Sequence, residues 1–440
     1  MDSPFAKWED LGSTEAADAM GAAMQSILGS GDVAVNLSAT SLVANRWLYD
    51  GDASSARWIE RYVAGWSKRA SENGGLIPDN VDRLGVVGGL HDGRWYGGYY
   101  GWTWPHGLLS VGMATMIGAA NAAMVSGDTA HFDLVRTVLD TVIREGKTAT
   151  VDETPMSLRP GWLDRLGPES SSPALLVPHR FGRDGWFDYG PMPMSVPTWL
   201  WWLTRDPTDW ARLEVLIEMS AESPTEVKEF RDKEEAGHEI PWLSFLAGRN
   251  PGYPVDALSM ALGQVARRMA LMAHEEPDLA TMHIHFWQRV NPVVTEVLTQ
   301  LTTGAPQVLY NGGLPDTAVS YSDADSSRPG LPPDVAALVH RIEGTEVELE
   351  LANLSASTTH QIWVRPGRFG RDDIVTMTAV TDAADYPGPA TSYSAPSAAP
   401  GTITVDVNAP RVLLELPPSH RVVLTLTTRT SGRPPRYSVS

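Results

Sequence analysis

The segment Val255–Met272, VDALSMALGQVARRMALM, shows most directly how the first two thirds of this chain fold. Its large apolar residues recur at spacings of three and four: Val255, Leu258, Leu262, Val265, Met269 and Met272. Because an α-helix has about 3.6 residues per turn, this spacing places all of them on one stripe of a helix. Shorter runs of the same kind are Ile59, Tyr62 and Trp66, and Phe132, Val135, Leu139 and Val142. The periodicity predicts helices from about residue 13 to residue 303.

Short turns divide this region into helical hairpins. In Gly51-Asp52 and Gly127-Asp128, a glycine that ends one helix is followed at once by an aspartate that caps the next. Similar turns at 206–209 and 276–278 complete four predicted hairpins, at 33–72, 106–147, 191–220 and 254–303. Long connections rich in Gly, Pro and aromatic residues join them, at 73–105, 148–190 and 221–253.

Helical hairpins in series commonly close into a ring, the (α/α)n toroid. The three long connections would then meet at one mouth of the ring. A further predicted helix at 14–29 has no hairpin partner. We therefore expect a helical toroid, which is either complete or incomplete. The unpartnered helix indicates an incomplete ring, one that is open or that begins upstream of this chain.

The pattern changes after residue 304. Glu346–Leu351 alternates polar and apolar residues, which predicts a half-buried strand. Further strand-length segments follow at 361–364, 402–407, 411–416 and 422–426. The sequence therefore predicts a mainly α protein with a β domain: a toroid carrying the catalytic site at 1–303, an ordered linker at 304–340, an antiparallel β-sandwich at 341–427 and a tail at 428–440.

Composition narrows the function classes. The chain has 34 Lys+Arg against 53 Asp+Glu, a net charge of −19, which argues against nucleic acid or an anionic membrane as partner. It has no cysteine, and we expect no helix that spans a bilayer. The N-terminus shows no signal-peptide pattern, which predicts a cytoplasmic protein as written and an exported one if the N-terminus was trimmed. The 16 Trp indicate either a large aromatic core or stacking platforms for sugar-like ligands.

The first candidate site is Gly93–Gly107, GRWYGGYYGWTWPHG, which ends the first long connection. Its glycines let the backbone bend sharply while aromatic side chains are displayed. A histidine near tyrosine hydroxyls can perform general acid–base chemistry. With the segment before it, this region supplies the candidates Asp79, Asn80, Tyr99, Tyr100, Trp102, Trp104 and His106. The alternative is a packed aromatic loop in which His106 only caps a helix.

The second long connection would bring further groups to the same mouth. Its candidates are His179, Arg180, Asp188 and Tyr189, and a guanidinium group there could bind a substrate carboxylate in bidentate fashion. The third connection adds Arg249. The alternative for both connections is a surface loop with salt bridges.

His283 and His285 form a His-x-His pair. On a strand both imidazoles would face one side and could hold a metal, but on a helix they diverge, and no third ligand follows at a fitting spacing. We expect no metal, and His285 alone reaching the centre of the ring. Nucleotide-binding glycine motifs and the usual hydrolase and zinc motifs are absent from the sequence, so no cofactor is predicted.

A helical ring followed by a β-sandwich, with Tyr, His, Asn and Arg at the mouth, resembles polysaccharide lyases of the alginate-lyase and heparinase types. The stretches 73–80 and 93–107, with 311–313 and 328–339, also resemble an uncharacterised bacterial family that implies no activity. The lyase resemblance implies β-elimination on a uronate-containing glycan, the substrate being an acidic or neutral oligo- or polysaccharide. It assigns the base to His106 or Tyr100, the acid to Tyr189 or Tyr99, and neutralisation of the substrate carboxylate to Asn80 and Arg180.

Three other functions stay open. A glycoside hydrolase on the same ring would use two carboxylates, and Asp79 with Asp188 is the natural pair. An isomerase would use His106 or His179 with His283 or His285. A non-catalytic module would stack sugars on its tryptophans without turnover.

Overall fold

The computed structural model describes residues 7–28, 30–156, 171–229, 237–275, 278, 282, 286, 290–309, 312–381 and 401–437. Ten α-helices lie in these residues: α1 Thr14–Leu28, α2 Thr40–Asp50, α3 Ala53–Glu72, α4 Gly107–Ser126, α5 Asp133–Arg144, α6 Ser195–Thr204, α7 Pro207–Glu218, α8 Glu239–Leu246, α9 Tyr253–His274 and α10 Glu296–Thr303. Short 3-10 helices occur at Trp8–Gly12, Ala34–Ala39 and Thr129–Phe132. After α10 the described chain contains β-strands and no further α-helix. The prediction of a helical domain followed by a β domain is therefore confirmed.

The predicted hairpin turns form as their sequences require. Gly51 ends α2 with φ 72°, and the Asp52 carboxylate accepts hydrogen bonds from the first amides of α3 at 3.0 and 3.2 Å. Gly127 ends α4 in the same way, and Asp128 caps the following 3-10 helix at 2.9 Å. Between α6 and α7, Arg205 takes the left-handed position with φ 53° and Asp206 is the cap. The turn predicted at 276–278 lies mostly outside the described residues.

The central helix of the first domain is α4. It packs against the 3-10 helix Ala34–Ala39 and against α2, α3, α5 and α6. It carries no charged residue, and among the described residues it is the one helix long and apolar enough, by length and composition alone, to cross a membrane. Because 72% of the apolar window is buried inside the protein, α4 has the surroundings of a core helix.

A buried ion cluster ties two of the hairpins together. The Asp209 carboxylate on α7 is fully buried and accepts hydrogen bonds from Arg136 on α5 at 2.7 and 3.1 Å. Arg212 and Thr204 donate to the same carboxylate at 2.6 and 2.8 Å. The four contacts satisfy its oxygens without water, which fixes how α5 and α7 pack.

The helix predicted from Val255–Met272 forms as α9, but its apolar stripe faces outward in the described structure. Val255, Leu262 and Met269 are 68%, 71% and 52% exposed. The buried side of the helix carries Gln264 and Arg268 instead. Polar partners explain this burial, since Arg268 donates to the Asn291 carbonyl at 2.8 Å.

The second and third long connections contain regular structure that the sequence did not indicate. Three antiparallel strands, β3 Lys147–Ala149, β4 Ala174–Gly182 and β5 Gly185–Pro191, form a small sheet within or beside the second connection. The third connection contains α8. A further short pair joins β1 Gly31–Val33 to β2 Asn80–Asp82.

The β domain has two antiparallel sheets. Its strands are β6 Val319–Asp323, β7 Arg328–Pro329, β8 Val335–Glu343, β9 Glu346–Asn353, β10 His360–Pro366, β11 Asp372–Thr381, β12 Gly401–Ala409, β13 Val412–Leu416 and β14 Arg421–Thr430. One sheet has the order β13-β10-β6-β7 and the other β12-β11-β14-β9-β8. All five predicted strands are present, and β9 shows the alternating burial that its sequence predicts. Strands β6, β7 and most of β8 fall inside the segment predicted as a linker.

The two parts share one core. The indole N–H groups of Trp199 and Trp202 on α6 donate to the carbonyls of Gln307 and Gly304 at 2.6 and 2.7 Å. Contrary to the expected tail at 428–440, the chain returns to the helical part. There Tyr437 donates to Asn45 at 2.5 Å and lies 4.5 Å from the Tyr49 ring. This packing anchors the end of the β domain on α2.

Candidate functional site

Asp79 is the structural centre of the aromatic loop, residues 93–107. Its side chain is fully buried, and its two oxygens accept hydrogen bonds from the backbone amides of Gly97, Gly98 and Trp102 at 3.0, 2.8 and 2.7 Å and from Asn80 Nδ2 at 3.0 Å. A Cβ at Gly98 would overlap the backbone carbonyl oxygen of Asp79, and a Cβ at Gly101 would overlap its carboxylate. The loop therefore needs glycine where it wraps around this carboxylate.

The neighbouring Asn80 also has a structural environment. Its Nδ2 donates to Asp79 and to the Arg94 carbonyl at 3.2 Å. These contacts use the N–H groups that would be needed to neutralise a substrate carboxylate. The geometry therefore weighs against that role for Asn80, and it weighs against Asp79 as a hydrolase acid or nucleophile.

The aromatic loop divides into a buried and an exposed half. Trp102 is fully buried, donates its indole N–H to the Ile77 carbonyl at 2.9 Å and lies 5.5 Å from the Trp186 ring. It is a core residue rather than a stacking surface. The other half of the loop turns outward.

Tyr99, Tyr100 and Trp104 form this exposed half, and we call them the aromatic face. They are 41%, 38% and 38% exposed. Their ring centroids lie 4.5 to 5.9 Å apart, so they make one continuous surface. Tyr100 adopts φ 53°, a left-handed conformation that is uncommon for a tyrosine and turns the chain at this point. Desolvation and the hydrogen bond with Tyr100 raise the pKa of Tyr99, which keeps that phenol protonated at neutral pH.

The hairpin of β4 and β5 packs directly against the aromatic loop. Arg180 on β4 donates from Nε and Nη2 to the Thr103 carbonyl at 3.1 and 2.5 Å, and the Phe181 amide donates to the Trp102 carbonyl at 3.0 Å. The Arg180 guanidinium also lies 4.6 Å from the Phe187 ring centroid. Arg180 thus joins the first and second long connections beside the aromatic face.

Asp188 and His179 lie behind this junction. Asp188 is at φ 59°, and its carboxylate is 3.8 Å from Arg180 Nη1. The buried His179 donates from Nε2 to the Pro191 carbonyl at 2.9 Å. Burial lowers the pKa of His179, so its imidazole is neutral at neutral pH. Because its Nε2 is hydrogen-bonded to a backbone carbonyl, His179 is not well placed for proton transfer to a substrate.

His106 and Tyr189 are the other described candidates of these two connections. His106 is the half-buried N-cap residue of α4, and its positive charge would further lower the pKa of His179. The Tyr189 ring carries the Lys147 ammonium 4.1 Å above its centroid, a cation–π contact. Tyr189 packs against Val151, Ala174 and Leu176, a cluster separate from the aromatic loop.

The remaining candidates lie elsewhere. Arg249 follows α8 and pairs at the surface with Glu214 at 3.5 Å. His285, like His283, lies outside the described residues. Within the described part of the chain, no three His, Asp or Glu side chains are grouped as a metal site would require.

A buried polar network lies at the start of α8, where the sequence of the third connection offers His238-Glu239 as a candidate but does not reveal Glu296 as the partner of His238. His238 Nδ1 lies 2.8 Å from Glu296 Oε2, and Gln300 donates to Glu296 Oε1 at 3.1 Å. Tyr253 donates in turn to Gln300 Oε1. Burial, with the charges of Glu296 and Glu239, raises the pKa of Tyr253 well above its usual value. The only sequence signal is His238-Glu239, because the essential partner Glu296 lies 58 residues further on.

Comparison with known proteins gives a family but no activity. No curated protein and no solved structure matches the chain. One family model, described as a domain of unknown function (DUF8034), matches residues 2–299, which spans the helical part almost to the end of α10. Since this match covers more than half of the sequence, the chain belongs to the DUF8034 family.

Proposed function

We propose that this protein is a carbohydrate-active enzyme, a lyase that cleaves a uronate-containing oligo- or polysaccharide by β-elimination. The proposal includes a toroidal arrangement of the helical hairpins and a sandwich arrangement of the two sheets. The observation that carries it is the aromatic face, which lies beside a fixed guanidinium group, that of Arg180. Flat, amphipathic aromatic surfaces suit the apolar faces of sugar rings, and guanidinium suits a carboxylate.

The chemistry required of the site is limited. A base removes the proton on the carbon beside the uronate carboxylate, and the electron pair forms a carbon–carbon double bond. The bond to the glycosidic oxygen breaks, and an acid protonates that oxygen as it leaves. Neutralising the carboxylate makes the proton acidic enough for a side-chain base.

The described residues suit these roles unequally. Tyr99, an exposed phenol on the aromatic face, is the group placed to donate the proton to the leaving oxygen. Tyr100, hydrogen-bonded to Tyr99, and His106 are the bases available beside it. Arg180, with 23% of its side chain exposed, is the cation beside the aromatic face; because its Nε and Nη2 are held by the Thr103 carbonyl, it would neutralise the carboxylate through its charge and its remaining N–H groups.

Elimination is favoured over hydrolysis by the state of Asp79. Hydrolysis would need two carboxylates facing one glycosidic bond. Asp79 is fully buried and accepts four hydrogen bonds, and Gly101 packs against its carboxylate. A sugar would have to displace the loop to reach it.

The test is an ultraviolet-absorbance time course on a panel of uronate-containing glycans, with reducing ends measured in parallel. Elimination creates a conjugated double bond that absorbs, whereas hydrolysis does not. We expect absorbance and reducing ends to rise together. Reducing ends without absorbance would refute the lyase.

Variants locate the activity. Tyr99→Phe and Tyr100→Phe should each lower kcat by roughly 100-fold or more, since each removes a proton-transfer group. Tyr49→Phe is the matched control, because Tyr49 is 73% exposed on α2 and far along the chain from the aromatic loop. Equal effects in the control and the test variants would contradict the assignment.

A glycan-binding module without catalysis is the second candidate, and the exposure of the aromatic face favours it. Such a module would show saturable binding of an oligosaccharide, with no rise in ultraviolet absorbance and no release of reducing ends. Trp104→Ala should then weaken binding, while Tyr99→Phe, which keeps the ring, should leave it nearly unchanged.

A further inference from the structure

A cavity of about 800 Å³ lies between the helical and β domains, at the end of α4 opposite His106. Its walls include the C-terminal turns of α4 and α6, the segment 313–318 and the segments 366–372 and 428–435 of the β domain. The α4 residues in its lining run from Met116 to Ser126, so at about 1.5 Å per residue the cavity begins roughly 14 Å beyond Gly107, the last residue of the aromatic loop. Its volume is within the range of small-molecule sites, about 300–1,000 Å³.

The charge of the cavity is opposite to that of the chain. Among its described lining residues are five arginines, Arg205, Arg368, Arg371, Arg429 and Arg433, and two aspartates, Asp316 and Asp372. The whole chain has a net charge of −19, yet arginine exceeds acid by three here. Such a concentration of one sign in a concave surface attracts counter-ions.

Arg205 gives the cavity an unsatisfied donor. It ends α6 in the left-handed conformation and lies with its guanidinium 4.5 Å from the Trp202 ring centroid. Its Nη1 is buried and has no hydrogen-bond partner among the residues that the structure describes. Burial lowers the pKa of Arg205 to about 9, so the group is still cationic at neutral pH. A buried cationic donor of this kind is normally paired, and a bound oxyanion would pair it.

The other charges are partly balanced within the protein. Arg371 pairs with Asp372 at 3.2 Å, and Arg433 reaches Asp373 at 2.5 Å. Burial raises the pKa of Asp316, and even with both aspartates ionised the lining arginines remain in excess. Arg429 lies exposed on β14 at the rim.

The remaining lining is apolar and aromatic. Trp47, Phe132, Trp199, Trp202 and Phe369 face the same space from both domains. A ligand made only of charged groups would leave this surface unused. The lining therefore suits an anion that also carries a ring or an apolar body.

We propose that this interdomain cavity binds a multiply charged organic anion of about nucleotide size, with phosphate or carboxylate oxygens on the arginines and a ring against the tryptophans. The proposal is independent of the carbohydrate chemistry proposed for the aromatic face. Because both domains line the cavity, binding should also stabilise their junction.

The experiment is titration calorimetry of the full chain at low salt with ATP, inorganic tripolyphosphate and citrate. We expect one saturable site with a dissociation constant below about 1 mM for at least one probe. Binding of ATP and tripolyphosphate but not citrate assigns phosphate, and binding of citrate alone assigns carboxylate. Tighter binding of ATP than of tripolyphosphate indicates that the aromatic walls contribute.

Variants test the location. Arg205→Met should weaken binding about tenfold or more, since it removes a charge-assisted donor. Arg429→Gln, at an exposed position that does not endanger folding, should weaken it about threefold by lowering the local potential. Arg144→Gln, an exposed arginine on α5 outside the cavity, is the control and should bind as the unchanged protein does. The proposal is overturned if no probe saturates at millimolar concentration, or if the control weakens binding as much as the two test variants.

Discussion

Replacing Asp79 by asparagine separates a structural from a catalytic role for this carboxylate. In the folded protein one oxygen accepts from Gly97 and Trp102 at 3.0 and 2.7 Å, and the other accepts from Gly98 and Asn80 at 2.8 and 3.0 Å. Asparagine keeps one oxygen and replaces the other by an N–H₂ group. That group must face two donors, so two hydrogen bonds are lost at once.

The size of the effect follows from those contacts. A hydrogen bond to a buried charged group contributes about 1.5–3 kcal/mol, so the loss of two predicts a destabilisation of about 3–6 kcal/mol. Because the donors all belong to residues 80–102, the first consequence should be local opening of the aromatic loop. A local loss of about 3 kcal/mol corresponds to amide exchange that is roughly 100-fold faster.

Hydrogen exchange by mass spectrometry, with urea denaturation followed by tryptophan fluorescence, measures both quantities. We expect the peptide that covers 93–107 to lose its protection and the unfolding midpoint to fall. Asp92→Asn is the control, since the Asp92 side chain is 95% exposed, and it should change stability by less than about 0.5 kcal/mol. If Asp79→Asn kept its amide protection and stability but lost all turnover, the structural reasoning would be refuted and a hydrolase would be favoured.

Three further predictions concern stability. Burial would raise the pKa of Asp209, but hydrogen bonds from Arg136 and Thr204 outweigh it and lower that pKa below the usual value of an aspartate. The ionised carboxylate therefore stabilises the fold at neutral pH, and this stabilisation is lost as the pH falls through the pKa of Asp209 in the folded protein. Asp209→Asn should make Tm fall less steeply with pH below about pH 4. An unchanged dependence of Tm on pH would contradict this. Glu296→Gln removes the charged partner of buried His238 and should lower the unfolding free energy by about 3 kcal/mol in urea, whereas a loss under 1 kcal/mol would show that the network is dispensable. Tyr437→Ala should cost about 2–3 kcal/mol by removing the contact of the chain end with α2, and Tyr437→Phe about 1 kcal/mol; no loss in either would mean that the end of the chain is not docked in solution.

The hairpin turns could be predicted because their causes are local. Gly51 and Asp52 act on residues that are adjacent in sequence, and so do Gly127 and Asp128. The alternating strand Glu346–Asn353 is predictable for the same reason, because each residue's face follows from its neighbours.

The buried face of α9 could not be predicted from its sequence. Periodicity identifies a helix, but either of two stripes can face the core. The buried stripe includes Arg268, whose partner carbonyl belongs to Asn291, 23 residues away. That stripe combines Tyr253, Ala257 and Met260 with the polar Gln264 and Arg268, so hydropathy alone does not single it out as the buried face.

In the candidate site, too, some features could be predicted from the sequence, and others depend on partners that are distant along the chain. That the aromatic loop and the second connection meet follows from the hairpin pattern, and the contact of Arg180 with Thr103 bears this out. The structural roles of Asp79 and Trp102 depend on hydrogen bonds to amides and carbonyls 18 to 25 residues away. From residue type alone, an aspartate and a tryptophan in this loop suggest catalysis and ligand binding. Their burial in the structure gives both a structural role instead.

The distribution of charge distinguishes the two proposed sites physically. At the aromatic face, Arg180 is held by the Thr103 carbonyl and faces Asp188, so little net positive potential reaches the solvent. At the interdomain cavity, five arginines stand against two aspartates in a chain of net charge −19. Raising the salt concentration screens exposed charges over about 10 Å at 0.1 M, so anion binding in the cavity should weaken steeply with salt. Binding of a uronate glycan on the aromatic face depends on stacking, short hydrogen bonds and one guanidinium group, so its affinity should fall less steeply over the same range. A steep fall of affinity with salt therefore belongs to the cavity with its five arginines, and a shallow fall belongs to the aromatic face.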